Sequence, residues 1–326
     1  MAPYRGIQRF DFRDLHLADI ANRDQTLQLR IELGASKMAA ERKMAAERPG
    51  FMGKGVFSWN GCGYRFSQTP PLTLMSPSAL TNDNPWIVLA GVLERAKGGD
   101  FSSLPLLMQC IRESDNPVLW RACFDLLGDA GSMPIVKTVF HAFRNEIVEQ
   151  ELAPFQRHVA YTLSQSLYLW AVPLMLDIYL GSRDRHETGI ITVLLSRALE
   201  EDFGPVATAA LPDDEYRDLV TAKYNALCVA LHGDSLPVLY GKLFSVKALT
   251  AHLLDTLRAE SPVYATTLHD RHLFEASTGI DCSRFFENGE LKPQRAMAIL
   301  EEFLIRGSLE PFEDGVRYFF GNNVSI

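Results

Sequence analysis

Cysteine is scarce in this sequence, and its few cysteines are arranged neither as metal ligands nor as a disulfide framework. The 326 residues contain five cysteines, and no two of them form a Cys-x-x-Cys pair. An odd number of widely spaced cysteines argues against both a disulfide scaffold and a zinc site. We therefore expect a cytoplasmic protein with reduced thiols that holds neither a metal nor another cofactor.

Long hydrophobic runs are also missing. The longest apolar stretch, residues 167–180, has 14 residues and is interrupted by Pro173 and Asp177. A helix that crosses a bilayer needs about 20 apolar residues. The first eleven residues contain no apolar segment of the kind found in secretory signals. These features predict a protein with no membrane partner.

Positive charge is in the minority. The chain has 32 Lys and Arg against 40 Asp and Glu, which gives a formal net charge of −8. Proteins that bind nucleic acid usually present a basic face, so this balance predicts no nucleic-acid partner. Hydrophobic residues make up 47% and charged residues 22% of the sequence, as in folded globular proteins.

Catalytic motifs are absent. The sequence has neither a P-loop nor a Gly-x-Ser-x-Gly elbow, and His186-Glu187 begins a metalloprotease motif in which Ile190 replaces the second histidine. The run His269-Asp270-Arg271-His272 is interpreted as a solvent-exposed helix face, because metal binding would need a third ligand from elsewhere. The sequence therefore predicts that the protein is not an enzyme.

The N-terminal part, residues 1–83, differs in composition from the rest. Residues 37–48 are two identical copies of Lys-Met-Ala-Ala-Glu-Arg, in which every residue type favours helix. Residues 53–75 combine glycine with aromatic and β-branched residues, which is typical of a short hairpin or an irregular segment. We predict an N-terminal cap segment that contains a spacer helix and a small β-containing or irregular region.

From residue 84 onward, a short apolar-Pro-apolar motif recurs. Its prolines are spaced by 29, 39, 32 and 32 residues, and they stand at positions 105, 134, 173, 205 and 237. Proline suits the first turn of a helix, and an approximate period of 30–40 residues in a helical segment indicates stacked helical hairpins. Asn84-Pro85 and Asn116-Pro117 predict two further helix starts, with asparagine as the N-cap.

The segment from Ser114 to Phe143 resembles a HEAT repeat, with a helix, a short Gly-Asp-Ala-Gly turn and a second helix opened by proline. The resemblance covers residues 84–258 and implies a mainly all-α fold, a HEAT-like α-α solenoid. Residues 259–326 break the period, and we predict that they form C-terminal capping helices and an aromatic tail that seals the end of the solenoid.

An acidic HEAT-like chain with such an ending is similar to immunity proteins of bacterial polymorphic toxin systems. This resemblance implies a non-enzymatic protein-binding module that neutralises a cognate toxin by covering its active or substrate-binding face. Two alternatives stay open. One is a HEAT-scaffold enzyme of the DNA glycosylase or tetrapyrrole lyase type, and the other is a general scaffold or adaptor.

Negative charge is concentrated in residues 200–218, which contain seven acids and only one base, Arg217. One interpretation is an ordinary solvated surface. The other is a docking patch for a basic toxin or effector, since complementary charge accelerates encounter and selects among partners. The predicted partner-binding residues are Glu200, Glu201, Asp202, Asp213, Asp214, Glu215 and Asp218.

Overall fold

The computed structural model describes residues 48–52, 63–66, 69–149, 153–182, 185–201, 204–208, 211–259, 264–287, 290–306 and 309–324. Within these ranges the chain is mainly helical, which confirms the predicted all-α class. No helix in them is both long and apolar enough to cross a membrane. The predicted spacer helix and most of the predicted glycine-rich hairpin lie outside the described residues.

The described ranges contain thirteen α-helices and six two-residue strands, together with short 3-10 turns. The helices are α1 (Pro77–Leu80), α2 (Pro85–Lys97), α3 (Leu106–Glu113), α4 (Pro117–Ala130), α5 (Met133–Glu149), α6 (Ala153–Gln165), α7 (Ala171–Gly181), α8 (Arg185–Leu199), α9 (Pro205–Thr208), α10 (Asp213–Ala230), α11 (Val246–Arg258), α12 (Tyr264–Thr278) and α13 (Pro293–Ile305). The strands are β1 (Val238–Leu239), β2 (Lys242–Leu243), β3 (Phe286–Glu287), β4 (Glu290–Leu291), β5 (Tyr318–Phe319) and β6 (Asn322–Asn323).

The structure confirms the two helix starts that asparagine followed by proline predicts. The Asn84 side chain accepts a hydrogen bond from the backbone N–H of Trp86, and Pro85 is the first residue of α2. The Asn116 side chain caps α4 in the same way, and its Oδ1 accepts from two backbone N–H groups. An asparagine cap satisfies donors that the first helical turn leaves free, and proline has no N–H to satisfy there.

The helices from α2 to α8 pack in a regular order. Helix α2 packs on α4, α4 on α6 and α6 on α8, while α3, α5 and α7 each pack on the helix that follows. The close crossing of α4 and α6 depends on Gly128, where a Cβ atom would lie 3.0 Å from the Thr162 carbonyl oxygen. Side chains such as Leu89, Phe124 and Leu195 bury their apolar surface in one shared core.

The proline motif at position 237 does not open a helix, which corrects the sequence prediction. Residues 238–243 form the β1–β2 hairpin, and Pro237 pairs with Tyr168 in an isolated bridge. Tyr240 and Gly241 have φ angles of 53° and 68°, as a two-residue type I′ turn requires. The Tyr240-Gly241 turn that follows Val238 and Leu239 therefore outweighs the helix-start tendency of the proline.

A second hydrophobic core follows this hairpin. It is built by α11, α12, α13 and the C-terminal residues, and it includes Leu253, Phe274 and Leu300. Helix α11, which was predicted as part of the repeat region, packs here against α12 and α13. Helix α12 also contacts α4 and β5, so it lies where the two cores meet. The aromatic tail forms the β5–β6 hairpin, with Tyr318 in the second core and Phe319 in the first.

Candidate functional site

Helix α10 carries four of the seven predicted partner-binding acids on its surface. Only Tyr216 and Val220 are buried among its 18 residues. Four exposed acids occupy its first two turns, and we call them the α10 acidic face: Asp213, Asp214, Glu215 and Asp218. Acids at a helix N-terminus interact favourably with the helix dipole. The structure therefore brings these four predicted residues together on one exposed helix end.

The other three predicted acids are not part of this face. Glu200 is buried at 6% exposure, where its carboxylate accepts hydrogen bonds from Ser196 Oγ and the Val206 backbone N–H. Lys223 Nζ lies 3.1 Å from the same carboxylate. Glu200 therefore contacts residues of α8, α9 and α10. Glu201 is exposed and forms an ion pair with Lys242. Asp202 lies outside the described residues.

The run from His269 to His272 is not a solvent-exposed face, which corrects the sequence interpretation. Asp270 and Arg271 are each 1% exposed. They belong to α12, which packs against α11, α4 and β5. These contacts bury its polar residues inside the protein. A charge pattern along one helix does not reveal such burial, so this burial could not be predicted from the sequence.

A polar cavity lies beside α12. It has a volume of about 30 Å³, and an ordered water needs about half of that. Helix α4 contributes three residues spaced by four, which places them on one helix face. The lining residues are Gly63, Arg121, Asp125, Asp129, Gln165, Arg197, Leu268, His269, Arg271, His272 and Leu273.

Asp129 is at the centre of the hydrogen bonds around this cavity. Tyr64 donates its hydroxyl to Asp129 Oδ2 at 2.5 Å, and His272 Nε2 lies 2.6 Å from the same oxygen. Burial lowers the pKa of His272, but the nearby Asp129 carboxylate outweighs burial and raises that pKa above its usual value. Three separate parts of the chain therefore meet at one buried carboxylate.

Two further carboxylic acids near the cavity have raised pKa values. Burial raises the pKa of Asp125 to about 6 and that of Glu275 to about 7. Glu275 lies 3.4 Å from Arg65 Nε and 3.6 Å from Arg271 Nη2. Gly63 has a φ of +54° and lies so close to Glu275 that a Cβ at this position would be only 2.9 Å from the carboxylate. The environment thus disfavours the charged form of both acids.

A second buried ionic cluster surrounds Asp270. Arg197 Nη2 donates to Asp270 Oδ1 at 3.0 Å, and Tyr240 donates its hydroxyl to Oδ2 at 2.8 Å. His252 Nε2 lies 3.4 Å from the same Oδ2. The cluster connects α8, the β1–β2 turn, α11 and α12, so it spans both hydrophobic cores.

Comparisons of the chain with protein-family models, with curated proteins and with solved structures give no match. The resemblances to HEAT repeats and to immunity proteins therefore stay predictions. No group of three or more His, Cys, Asp or Glu side chains among the described residues is placed to hold a metal ion.

The raised pKa of Glu275 predicts a pH-dependent stability difference. Because this pKa is about 7 in the folded protein and about 4.3 in an unfolded chain, protonated Glu275 stabilises the fold at low pH. That contribution is lost as the pH rises through 7. We expect the free energy of unfolding of the native protein, minus that of Glu275→Gln, to fall by on the order of 1 kcal/mol between pH 6 and 8.

Urea unfolding at several pH values measures this difference. Burial lowers the pKa of His158 to about 3 and that of His269 well below its usual value. Both histidines therefore destabilise the fold as the pH falls through 6.5, but they do so equally in the native protein and the variant and cancel in the difference. Glu301→Gln, at an exposed position on α13, is the control. A Glu275→Gln difference that is constant or rises with pH would contradict the prediction.

Proposed function

We propose that the protein is a non-enzymatic binding module that uses the α10 acidic face to capture a basic partner protein. The exposure of α10 is the observation that carries this proposal, since only two of its 18 residues are buried. One side of the helix packs on the first core through these two residues and the partly buried Leu219, Tyr224, Leu227 and Cys228. The other side of the helix is available for a partner. The four acids outnumber the one exposed base among them, Arg217, which pairs with Asp214, so this surface is mainly negative.

The packing order of the helices supports a HEAT-like superhelix as the scaffold. Helices α2, α4, α6 and α8 contact one another in series, as one layer of stacked hairpins would. Helix α12 covers the face of α4 that carries Asp125 and Asp129. A partner therefore has better access to α10 than to that covered face.

The C-terminal half of α10 adds apolar surface to the acidic face. Ala222, Ala226 and Val229 are exposed, and Val229 is 76% exposed. Interfaces combine a polar rim, which guides encounter, with apolar contacts, which supply binding energy. A partner that places lysine or arginine over the acids and apolar side chains over this half would match the helix along its length.

In the immunity-protein form of this proposal the partner is a basic toxin in the cytoplasm. Binding of α10 to a basic surface that the toxin uses for its substrate would block the toxin without any catalytic residue. Affinity capture from the native cell tests this form directly. We expect one tightly bound protein that is toxic when expressed alone. Several weakly bound, non-toxic proteins would instead support the scaffold alternative.

Neutralising the α10 acidic face is expected to slow association with the captured partner about tenfold at low salt, because electrostatic attraction raises association rates. The effect should shrink as salt shortens the range of the attraction. Stopped-flow mixing at two ionic strengths measures it. The variant combines the substitutions Asp213→Asn, Asp214→Asn, Glu215→Gln and Asp218→Asn.

The control removes the same amount of negative charge at exposed acids on and after α13. It combines the substitutions Glu301→Gln, Glu302→Gln, Glu310→Gln and Asp314→Asn. We expect this control to associate at nearly the native rate. Equal slowing of both variants would show that overall charge, and not the α10 acidic face, guides the encounter. An unchanged rate in the α10 variant would refute the proposed binding face.

A further inference from the structure

The polar cavity beside α12 contains buried hydrogen-bonding atoms that the described residues leave without a partner. They are Asp129 Oδ1, Gln165 Oε1 and Arg197 Nε. The side chains of Asp129 and Arg197 are only 1% and 7% exposed. A buried polar atom without a hydrogen bond costs about 1–3 kcal/mol, so native proteins usually satisfy such atoms with water or a ligand.

The charges around the cavity restrict what can bind there. The basic groups that line it are already paired with carboxylates: Arg121 with Asp125, Arg197 with Asp270, Arg271 with Glu275 and His272 with Asp129. Neither a cation nor an anion would therefore find an uncompensated counter-charge there. The unpartnered atoms are two acceptors and one donor. A neutral group that both donates and accepts hydrogen bonds satisfies all three without adding a buried charge.

We infer that the cavity binds a small neutral ligand through a primary carboxamide group. The amide NH₂ would donate to Asp129 Oδ1 and Gln165 Oε1, and the amide oxygen would accept from Arg197 Nε. The cavity volume of about 30 Å³ holds roughly two water-sized groups. This matches the nitrogen and oxygen of one amide, so the remainder of a larger ligand would extend out of the cavity.

Tyr64 and His272 are positioning residues for this site. Both contact Asp129 through Oδ2, which leaves Oδ1 as the free acceptor. The ring centroids of Tyr64 and His272 lie 5.4 Å apart, so these two side chains also pack against each other. The segment that carries Tyr64 therefore helps to hold the acceptor in place before a ligand arrives.

Three probes of nearly the same shape test the ligand class. Acetamide is neutral with one donor and one acceptor end, acetate has two acceptor ends, and acetamidinium has two donor ends. Titration of each, followed by NMR of the Gln165 side-chain amide and the Arg197 Nε–H, reports binding at the cavity. We expect acetamide to bind in the millimolar range and more tightly than either charged probe.

Gln165→Met removes one acceptor and retains the length of the side chain. We expect it to weaken acetamide binding about tenfold, as the loss of one hydrogen bond of about 1.4 kcal/mol predicts. Gln109→Met, at an exposed position on α3, is the matched control and should bind acetamide as the native protein does. If Gln165→Met does not fold, Gln165→Glu replaces it, and its added charge should shift the preference from acetamide to acetamidinium.

Four outcomes would overturn the inference. They are tighter binding of acetate, tighter binding of acetamidinium to the native protein, acetamide affinity unchanged by Gln165→Met, and no shift with any probe, which would mean that the cavity holds only water. None of these results bears on the proposed partner binding, because the α10 acidic face lies on a different helix from every cavity residue.

Discussion

Replacement of Arg317 by alanine is expected to lower the free energy of unfolding by about 3 kcal/mol or more, because the lost hydrogen bonds are buried and charge-assisted. The Arg317 guanidinium donates to the carbonyl oxygens of Gly131 and Gly128, both at 2.6 Å, and of Asp129 at 2.9 Å. These carbonyls belong to the C-terminal end of α4, where the helix itself offers no partner.

The geometry of the arginine side chain explains why a lysine cannot replace it. The planar guanidinium reaches three carbonyls at once and also lies 4.9 Å from the centroid of the Tyr168 ring. Arg317→Lys keeps the charge but offers only a single nitrogen, so we expect it to recover a minor part of the lost stability. Arg284→Ala, at an exposed position, is the control.

Urea or thermal unfolding measures these changes. The expected order of stability places the native protein and Arg284→Ala together, Arg317→Lys lower and Arg317→Ala lowest. A loss of less than about 0.5 kcal/mol in Arg317→Ala, which is typical of ordinary surface substitutions, would show that the end of α4 is held by other contacts.

Local signals in the sequence were sufficient for most of the helices. Asparagine before proline predicts the starts of α2 and α4 because capping involves only residues within one turn of each other. Apolar periodicity in the sequence also indicates helices over residues 155–168, 190–199, 214–231 and 246–257. The structure confirms each of these within a few residues. Elements fixed by short-range contacts are therefore readable from the chain alone.

Long-range contacts account for what the sequence did not show. The hydrogen bonds of Arg317 reach carbonyls 186 to 189 residues earlier in the chain, and no local pattern announces them. The burial of Asp270 depends likewise on α4, α8 and the β1–β2 turn, all distant in sequence. The polar cavity could not be predicted for the same reason, since its lining residues come from five separate segments.

Residues 200–218 contain acids whose exposure a local signal predicts and one acid that long-range contacts bury. Asp213 and Asp214 are exposed because they begin a helix whose N-terminal turn favours solvated acids. Glu200 has the same charge but stands after the last residue of α8, where Lys223 and the Val206 N–H surround it. Counting charge along the sequence therefore overestimated the acid available to a partner.

Asp270→Ala is the other substitution for which we expect a large effect, a loss of about 3–5 kcal/mol in the free energy of unfolding. It removes the carboxylate that accepts from Arg197 and from Tyr240, and it leaves the Arg197 guanidinium buried without its counter-ion. An uncompensated buried charge costs more than the ion pair gains, so truncation of one member of the pair is the most damaging change.

A double-mutant cycle of Arg197→Met, Asp270→Leu and their combination separates the cost of the unpaired charge from the value of the pair. Arg197→Met combined with Asp270→Leu removes both charges and fills the space with apolar side chains, so we expect it to be more stable than Asp270→Ala alone. Asp270→Asn, which keeps an acceptor for Tyr240, should lie between them. A double variant no more stable than Asp270→Ala would mean that Tyr240 and His252, and not the unpaired arginine, account for the loss. Because Asp270 connects α8 of the first core with α11 and α12 of the second, the cycle also measures how strongly this buried ion pair couples the two cores.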